Sequence, residues 1–524
     1  MPLGILDDDC EHVPGTVTLV DQGSNAADTC NVRHGTSKDA HVILVPQPTD
    51  NPNDPLNWSL WRRNLVFAVV FTNTIIMGAV PPPLLAASLQ VLSVYFGRPT
   101  MAITLLSGYQ LVLVAALGPI VSALARKYGK RPQFVFAAIM AIIGTVIYIG
   151  SGNSYNVLLA GRLVQGLGIV AFESLSLGLL GDLYFVHERG SRAGLLALSL
   201  TCMSAVVSIV SGPITENLGW RYMFIVHLPF EIAGAITVIF FLPETQFQRP
   251  TCEQRSPGSA QADTAKQSDF SHDEIVQTVT RPGSLEAHHL SRRKRYVQTL
   301  AIVSGTYTNE SVMKLLLAPF ITLVIPSVTW SILVGGIAVA FYGTLSYILG
   351  QIWSAPPYFL GSAGNGYFYV GALLGGLIGG IGGAKLCDLS TNWLTKRNRG
   401  VYEPEFRIPA QIIAAALLCL GFFLFMWDVE HPTKTGYFLG SFCHGCICAG
   451  VTIAATSSSV YILDAHPDQA IEVFILLMSV KNFIFYGFSY FMNGWVSKSG
   501  PGDVFKVFGI VSACLLATSL PMCK

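Results

Sequence analysis

Three otherwise apolar stretches carry the side chains best suited to chemistry: Arg162, Gln165 and Glu173 in one, Glu231 in a second and Lys481 in a third. Arg162 and Glu173 are eleven positions apart, close to a whole number of 3.6-residue turns, so a helix sets both on one face. Gln165 lies one turn along that stripe. About 16 Å of rise separates the two charges, too far for a pair within the helix, with Glu173 near the middle and Arg162 nearer the outer end. A carboxyl withdrawn from water binds its proton more tightly, so Glu173 could load and release a proton near neutral pH, aided by Arg162. A hydrogen bond to a neighbouring helix is the plainer role for the same side chain. Glu231 and Lys481 are further candidates for a substrate pathway. Lys481 could pair with a carboxylate, snorkel to an interface or contact an anionic substrate. Tyr342 and Tyr347, with Tyr109, Tyr367, Tyr369 and Tyr486, could line an amphipathic pocket, or anchor helix ends at the interface.

Chemistry of other kinds finds no residues to carry it. The chain has no Gly-rich phosphate loop ending in Lys-Ser/Thr, no His-Glu-x-x-His and no Gly-x-Ser-x-Gly, so neither an enzyme nor an ATP-driven pump is expected. No ring-forming filter segment speaks for a channel. Cys443-His444-Gly445-Cys446-Ile447-Cys448 would point ligands to different sides of one helix, which suits packing rather than a metal. The other cysteines are scattered and suggest no disulfide framework. No metal and no cofactor are expected.

The elements that must position these groups are apolar and long. Of 524 residues 51% are hydrophobic and 12% charged, about half the usual charged share, and mean hydropathy is +0.51. Backbone in lipid must satisfy its own hydrogen bonds, and these runs are too continuously apolar for barrel strands, which leaves transmembrane helices. Twelve spans are expected, at 64–86, 101–121, 133–151, 157–183, 193–215 and 222–242, then at 327–350, 366–386, 409–427, 436–462, 470–494 and 504–522. A hydrophilic break, Pro243–Lys314, separates them. The expected organisation is a disordered N-terminal segment 1–63, a six-helix half 64–242, a central loop 243–324 and a second six-helix half 325–524.

Charge placement gives the spans a sidedness. Arg126, Lys127, Lys130 and Arg131, then Arg189 and Arg192, Arg292–Arg295, and Lys396, Arg397, Arg399 and Arg407 all fall in loops of one side, whereas 151–156 and 351–365 hold no Lys or Arg. The positive-inside rule places both termini and the central loop in the cytoplasm. No apolar signal segment opens the chain, so the first span would direct insertion. Asn57 and Asn309 head glycosylation-type triplets on that same side and should be unused. A net charge of +1 suggests no nucleic-acid partner, and His288-His289 beside the basic run reads as solvated loop. Gly371, Gly375, Gly379 and Gly383 form a smooth helix face, widened by Gly376 and Gly380, which lets a neighbouring helix approach closely and slide.

Several segments resemble the major facilitator superfamily of secondary transporters. Ser122-Ala-Leu-Ala-Arg126-Lys127-Tyr128-Gly129-Lys130-Arg131 is similar to its Gly-x-Leu-Ala-Asp-Arg-x-Gly-Arg-Arg motif, with Ser122 for the first Gly and Arg126 for the Asp. Gly161-Arg162-Leu-Val-Gln165-Gly166 resembles its Arg-x-x-Gln-Gly segment, implicated in proton coupling. Ser199, Ser208, Gly212, Pro213 and Glu216 fall at the spacing of its antiporter motif, where Gly212-Pro213 matches literally and Glu216 replaces a Gly. Asn53–Trp58, Gly181–Gly190, Leu242–Thr245 and Tyr402–Arg407 look like fungal members, in the drug:proton antiporter-like group near the polyamine and histidinol carriers. The resemblance implies an all-α fold of two six-helix halves around a central cavity, with Arg126, Lys127, Gly129, Lys130, Arg131, Gly212 and Pro213 in gating. It also implies a proton gradient as energy source. The expected function is proton-coupled export of a small organic molecule by a monomer in a lipid bilayer, in the plasma membrane or alternatively the vacuolar membrane. The alternative is a proton-coupled importer of a cationic nutrient such as a polyamine.

Overall fold

Pro81, Pro82 and Pro83 stand where the first span would otherwise run straight, and three successive residues without an N–H break it. The computed structural model describes residues 17–18, 48–49, 51–247, 296–302, 305–398, 401–433, 435–466 and 469–523. In it α1 runs Leu60–Ala79, loosens into a π-turn over Thr74–Ala79, bends by 41° and resumes as Pro82–Phe96. The first span is therefore broken and ten residues longer at its far end than the expected limit of 86.

The remaining long helices follow in order: α2 Thr100–Tyr128, α3 Arg131–Ile149, α4 Tyr155–Leu183, α5 Val186–Asn217, α6 Arg221–Phe241, α7 Pro326–Trp353, α8 Ser362–Arg397, α9 Pro404–Glu430, α10 Gly436–Ala465, α11 Ala470–Ser499 and α12 Pro501–Ala517. Among the described residues ten helices are individually long and apolar enough to cross a bilayer, and bent α1, taken as one span, makes an eleventh. The last, α12, has 17 residues, about 25 Å of helix. Over the described residues the chain is thus nearly all helical, as a multi-pass integral membrane protein is. Most helices outrun their apolar cores, α8 by eleven residues at its basic end, because polar ends extend past the hydrocarbon. A π-turn recurs in α7, at Ile332–Gly336, so the first helix of each half carries one, as internal repeats would produce.

Two sequence expectations need correction. The central segment 243–324 is not all loop: Ser311 caps a helix, Val312–Ile321, by accepting from Lys314 N at 3.2 Å, and that helix packs on both α2 and α11. The segment before α1 is folded where it is described. Asp54 accepts from Leu56 N at 3.1 Å to start a turn, and Arg62 lies 3.9 Å over the Trp58 ring. Val17–Thr18 pairs antiparallel with Val401–Tyr402, the one sheet among the described residues. The Arg292–Arg295 run, His288-His289 and Arg399 lie outside those residues.

Each half is held by close helix approaches at glycine. A Cβ on Gly168 would sit 2.7 Å from Ala141 Cα, so α3 and α4 touch backbone to backbone. In the second half the four-spaced stripe of α8 lies on α10: a Cβ at Gly375 would meet the Gly445 carbonyl oxygen at 2.0 Å. Gly376 and Gly380 face the other way, toward Cys202 and Leu198 of α5. The stripe is therefore packing within a half, and only its widened edge meets the opposite half.

Candidate functional site

The two halves meet along α2 against α11 and α5 against α8, and polar contacts cross that interface at three depths. Midway, Lys481 Nζ of α11 donates to Glu173 Oε1 of α4 at 2.5 Å, and Asn482 Nδ2 lies 3.3 Å from Glu173 Oε2. Both charged side chains are about nine-tenths buried. Nearer the end that carries the basic loops, Arg126 Nη2 of α2 pairs with Glu472 in the first turn of α11. At the opposite end, Glu216 Oε2 of α5 accepts from Ala363 N at 2.7 Å, in the first turn of α8, where a carboxylate complements the helix N-terminus. Gly212 allows the same approach: a Cβ there would lie 2.5 Å from the Ser362 carbonyl oxygen. Pro213 follows it inside α5. The halves are thus joined at both ends and in the middle, an occluded arrangement.

Among the residues that depart from the resembled motifs, Arg126 and Glu216 each make an inter-half contact. Reversing the motif's Asp to Arg126 keeps a charged link at that end by offering a cation to Glu472.

The rest of the basic segment between α2 and α3 braces its own half. Gly129 holds φ +102°, with the Glu244 carboxylate where a Cβ would be. Glu244 accepts from Lys130 N and Arg131 N at 3.0 and 3.1 Å, and from Thr245 N and Gln246 N. Burial pushes the Glu244 carboxyl above its ordinary value, and those backbone N–H groups pull against the rise. Lys130 Nζ reaches Asp182 Oδ2 at 2.5 Å and the Gly178 carbonyl at 2.8 Å. Arg131 donates to the carbonyls of Leu242, Ile239 and Leu300. Lys127 instead faces the central segment, with Nζ 3.2 Å from the Glu310 carbonyl and its own carbonyl accepting from Tyr307 N.

Arg162, Gln165 and Glu231 fall inside the first half, away from the interface. Arg162 is fully buried; its Nη1 donates to Pro81 O at 2.8 Å, Gln165 Oε1 at 3.0 Å and Gln110 Oε1 at 3.1 Å. Its guanidinium lies 5.1 Å from the Tyr148 ring and 5.2 Å from Phe224, which favours a desolvated cation. Gln165 Nε2 donates to Thr145 Oγ1 at 2.9 Å, which donates to Glu231 Oε1 at 2.9 Å. Sequence reasoning set Arg162 beside Glu173 in function, yet their surroundings are separate.

Tyr342 and Tyr347 are buried in the second half. Tyr342 packs 5.4 Å from the His444 ring, which also meets Phe368 and Tyr369. The Tyr347 carbonyl accepts from Asn493 Nδ2 at 2.9 Å. Neither is among the hydrogen-bond partners of Glu173, which are Lys481 and Asn482. Residues that sequence reasoning missed are Gln110, Thr145, His227, Glu472 and Asn482. His227 had a signal, its i, i+4 spacing from Glu231; the others are ordinary polar residues whose partners lie far off in sequence.

Comparison with known proteins gives a consistent picture. The sequence model of the family described as Major Facilitator Superfamily matches residues 65–488. An MFS-type transporter of Schizosaccharomyces pombe is 24% identical over 98% of this chain and 91% of its own. The probable efflux pump mfs2 of Aspergillus flavus is 24% identical over 75% of this chain and 85% of its own. Among solved structures, the xylose transporter XylE of E. coli, in a partially occluded inward-open conformation, superposes with a TM-score of 0.57. It is 13% identical, with 87% of this chain and 97% of that one covered, a likeness of fold.

Proposed function

The chain belongs to the major facilitator superfamily of transporters, and from that premise we propose that it exports a small organic molecule in exchange for protons. The observation that carries this reading is the Glu173–Lys481 pair, a buried ion pair whose partners belong to different halves. Alternating access requires the halves to separate at one end at a time, and that pair lies on the way. Protonating Glu173 removes the attraction and leaves Lys481 a lone buried cation, which favours parting the halves. A substrate bearing a charge competes for one partner or the other. Load and release of a proton at Glu173 therefore changes how strongly the two halves hold together. Export is the preferred direction because an efflux pump is among the similar proteins. The end bearing the basic loops is assigned to the cytoplasm, and the working unit to a monomer.

The test is a growth screen of cells expressing the chain against a panel of toxic organic compounds, with and without a protonophore. Resistance to at least one compound that collapses with the protonophore is the expected result. Accumulation of labelled spermidine without any gain in resistance sinks the export reading and favours import of a cationic amine.

A further inference from the structure

Glu231 is the eleventh of the twenty-one residues of α6, at the middle of a helix long and apolar enough to cross a bilayer, with no exposed surface. One turn earlier on the same helix, His227 Nδ1 lies 3.2 Å from Glu231 Oε1, close enough for an ion pair though not aligned as a hydrogen bond. The other ring nitrogen, Nε2, is 2.9 Å from the Ile76 carbonyl oxygen of α1. A carbonyl only accepts, so Nε2 carries a proton. In a neutral ring Nδ1 is then a bare acceptor, facing a carboxylate that is also only an acceptor. Two lone pairs held at that distance repel, and a second proton, on Nδ1 or on Oε1, turns the contact attractive.

The surroundings supply no cation in its place. Glu231 Oε1 accepts from Thr145 of α3, and Oε2 has no partner among the described residues. From α4, Arg162 reaches the pair only through Gln165 and Thr145, two neutral side chains. From α1, Asn73 faces Gly234 and donates to Thr237. From α3, Tyr148 packs on Phe224, the ring centroids 3.9 Å apart and the planes tilted by 39°. From α5, the described acids and bases are engaged elsewhere: Glu188 with Arg63, Arg189 and Arg192 with backbone carbonyls, Glu216 with Ala363. We propose that His227 and Glu231 together form a proton-binding site inside the first half, distinct from the inter-half pair and holding one proton in this closed form.

The site also touches the bend in α1. Val80 N donates to Ile75 O, and Pro81 has no N–H, so the Ile76 carbonyl loses both its α-helical and its π-turn partner. His227 fills that vacancy and Arg162 caps the Pro81 carbonyl. Loss of the shared proton takes the pair from net neutral to net −1, drives the ring from the carboxylate and loosens its hold on Ile76. Proton occupancy is thereby linked to the stiffness of the bend.

This inference rests on the proton-coupled reading for its role, and its test does not. The full-length chain, ¹⁵N-labelled at histidine and held in lipid nanodiscs, is followed by solid-state NMR from acid to alkaline pH, His227 being assigned by difference with His227→Gln. The expected result is an Nε2 that stays protonated and ring shifts that titrate in the wild type, and that stop titrating in Glu231→Gln. Thr145→Val, which keeps both titrating groups, should move the midpoint without abolishing it and guards against a misfolded Glu231→Gln. Ring shifts independent of pH in the wild type, or a titration that Glu231→Gln leaves unchanged, overturn the proposal. Resistance that survives a protonophore removes the proton-coupled reading instead, so the two failures are told apart.

Discussion

Arg126 and Glu472 join α2 to α11 at the basic end, where the resembled motif carries an Asp in place of Arg126. Arg126→Asp therefore restores the motif's own residue and sets it against Glu472, two carboxylates where there was a pair. Because Arg126 is a third exposed, the loss should be only about 0.5–1 kcal/mol, a few-fold shift toward opening at that end. Cysteine-labelling rates at the basic end should rise for Arg126→Asp and for Glu472→Arg, and return toward wild type when the two are combined. A double variant no better than either single one would show that the pair does not hold this end.

Breaking the middle link should cost more. Glu173→Gln or Lys481→Met alone leaves one charge buried without its partner, and about 3 kcal/mol of stability should go. The double variant Glu173→Gln/Lys481→Met should recover most of the thermal stability yet fail to restore proton-dependent resistance. If Glu173→Gln alone keeps full, protonophore-sensitive resistance, Glu173 has no part in coupling.

Glu216→Gly also restores a motif residue, and here too the prediction is loss. The carboxylate accepts from Ala363 N at the start of α8, a contact worth about 1 kcal/mol. Labelling of Ser362→Cys by an impermeant reagent should quicken several-fold in Glu216→Gly and stay slow in Glu216→Gln, which keeps an acceptor oxygen.

Within α8 the glycines divide sharply. A methyl at Gly375 would strike the Gly445 backbone, which cannot turn aside, whereas nothing lies within 4 Å of the corresponding point at Gly382. Gly375→Ala should cost about 3 kcal/mol and deplete the monodisperse fraction in size-exclusion chromatography. Gly382→Ala should elute like wild type.

How much of this was legible beforehand depended on the range of the interaction. Spans follow from local hydropathy, so α2 to α11 lie close to their expected places, and the stripe from Gly371 to Gly383 announces a close neighbour. Pro81-Pro82-Pro83 is equally visible, and the bend follows from those missing donors, because continuous hydropathy does not require a continuous helix. Glu173 and Lys481 were each marked as costly in lipid, but 308 positions separate them, and no helical period reaches that far. Gln165 and Glu231 were expected along a pathway because polar residues in spans often face one. Their true partners, Thr145 and His227, turn them inward, a matter of helix rotation that spacing leaves open.

The clasps at Arg126 and Glu216 bear on something other than cargo. On the proton-exchange reading proposed above, the carrier must not itself short-circuit the membrane that stores its driving gradient. With one clasp at each mouth and a third contact between, any single opening leaves an intact dry barrier behind it. Variants that weaken both mouths together should therefore first reveal themselves as a proton leak, slowing growth in acid medium even when no substrate is offered.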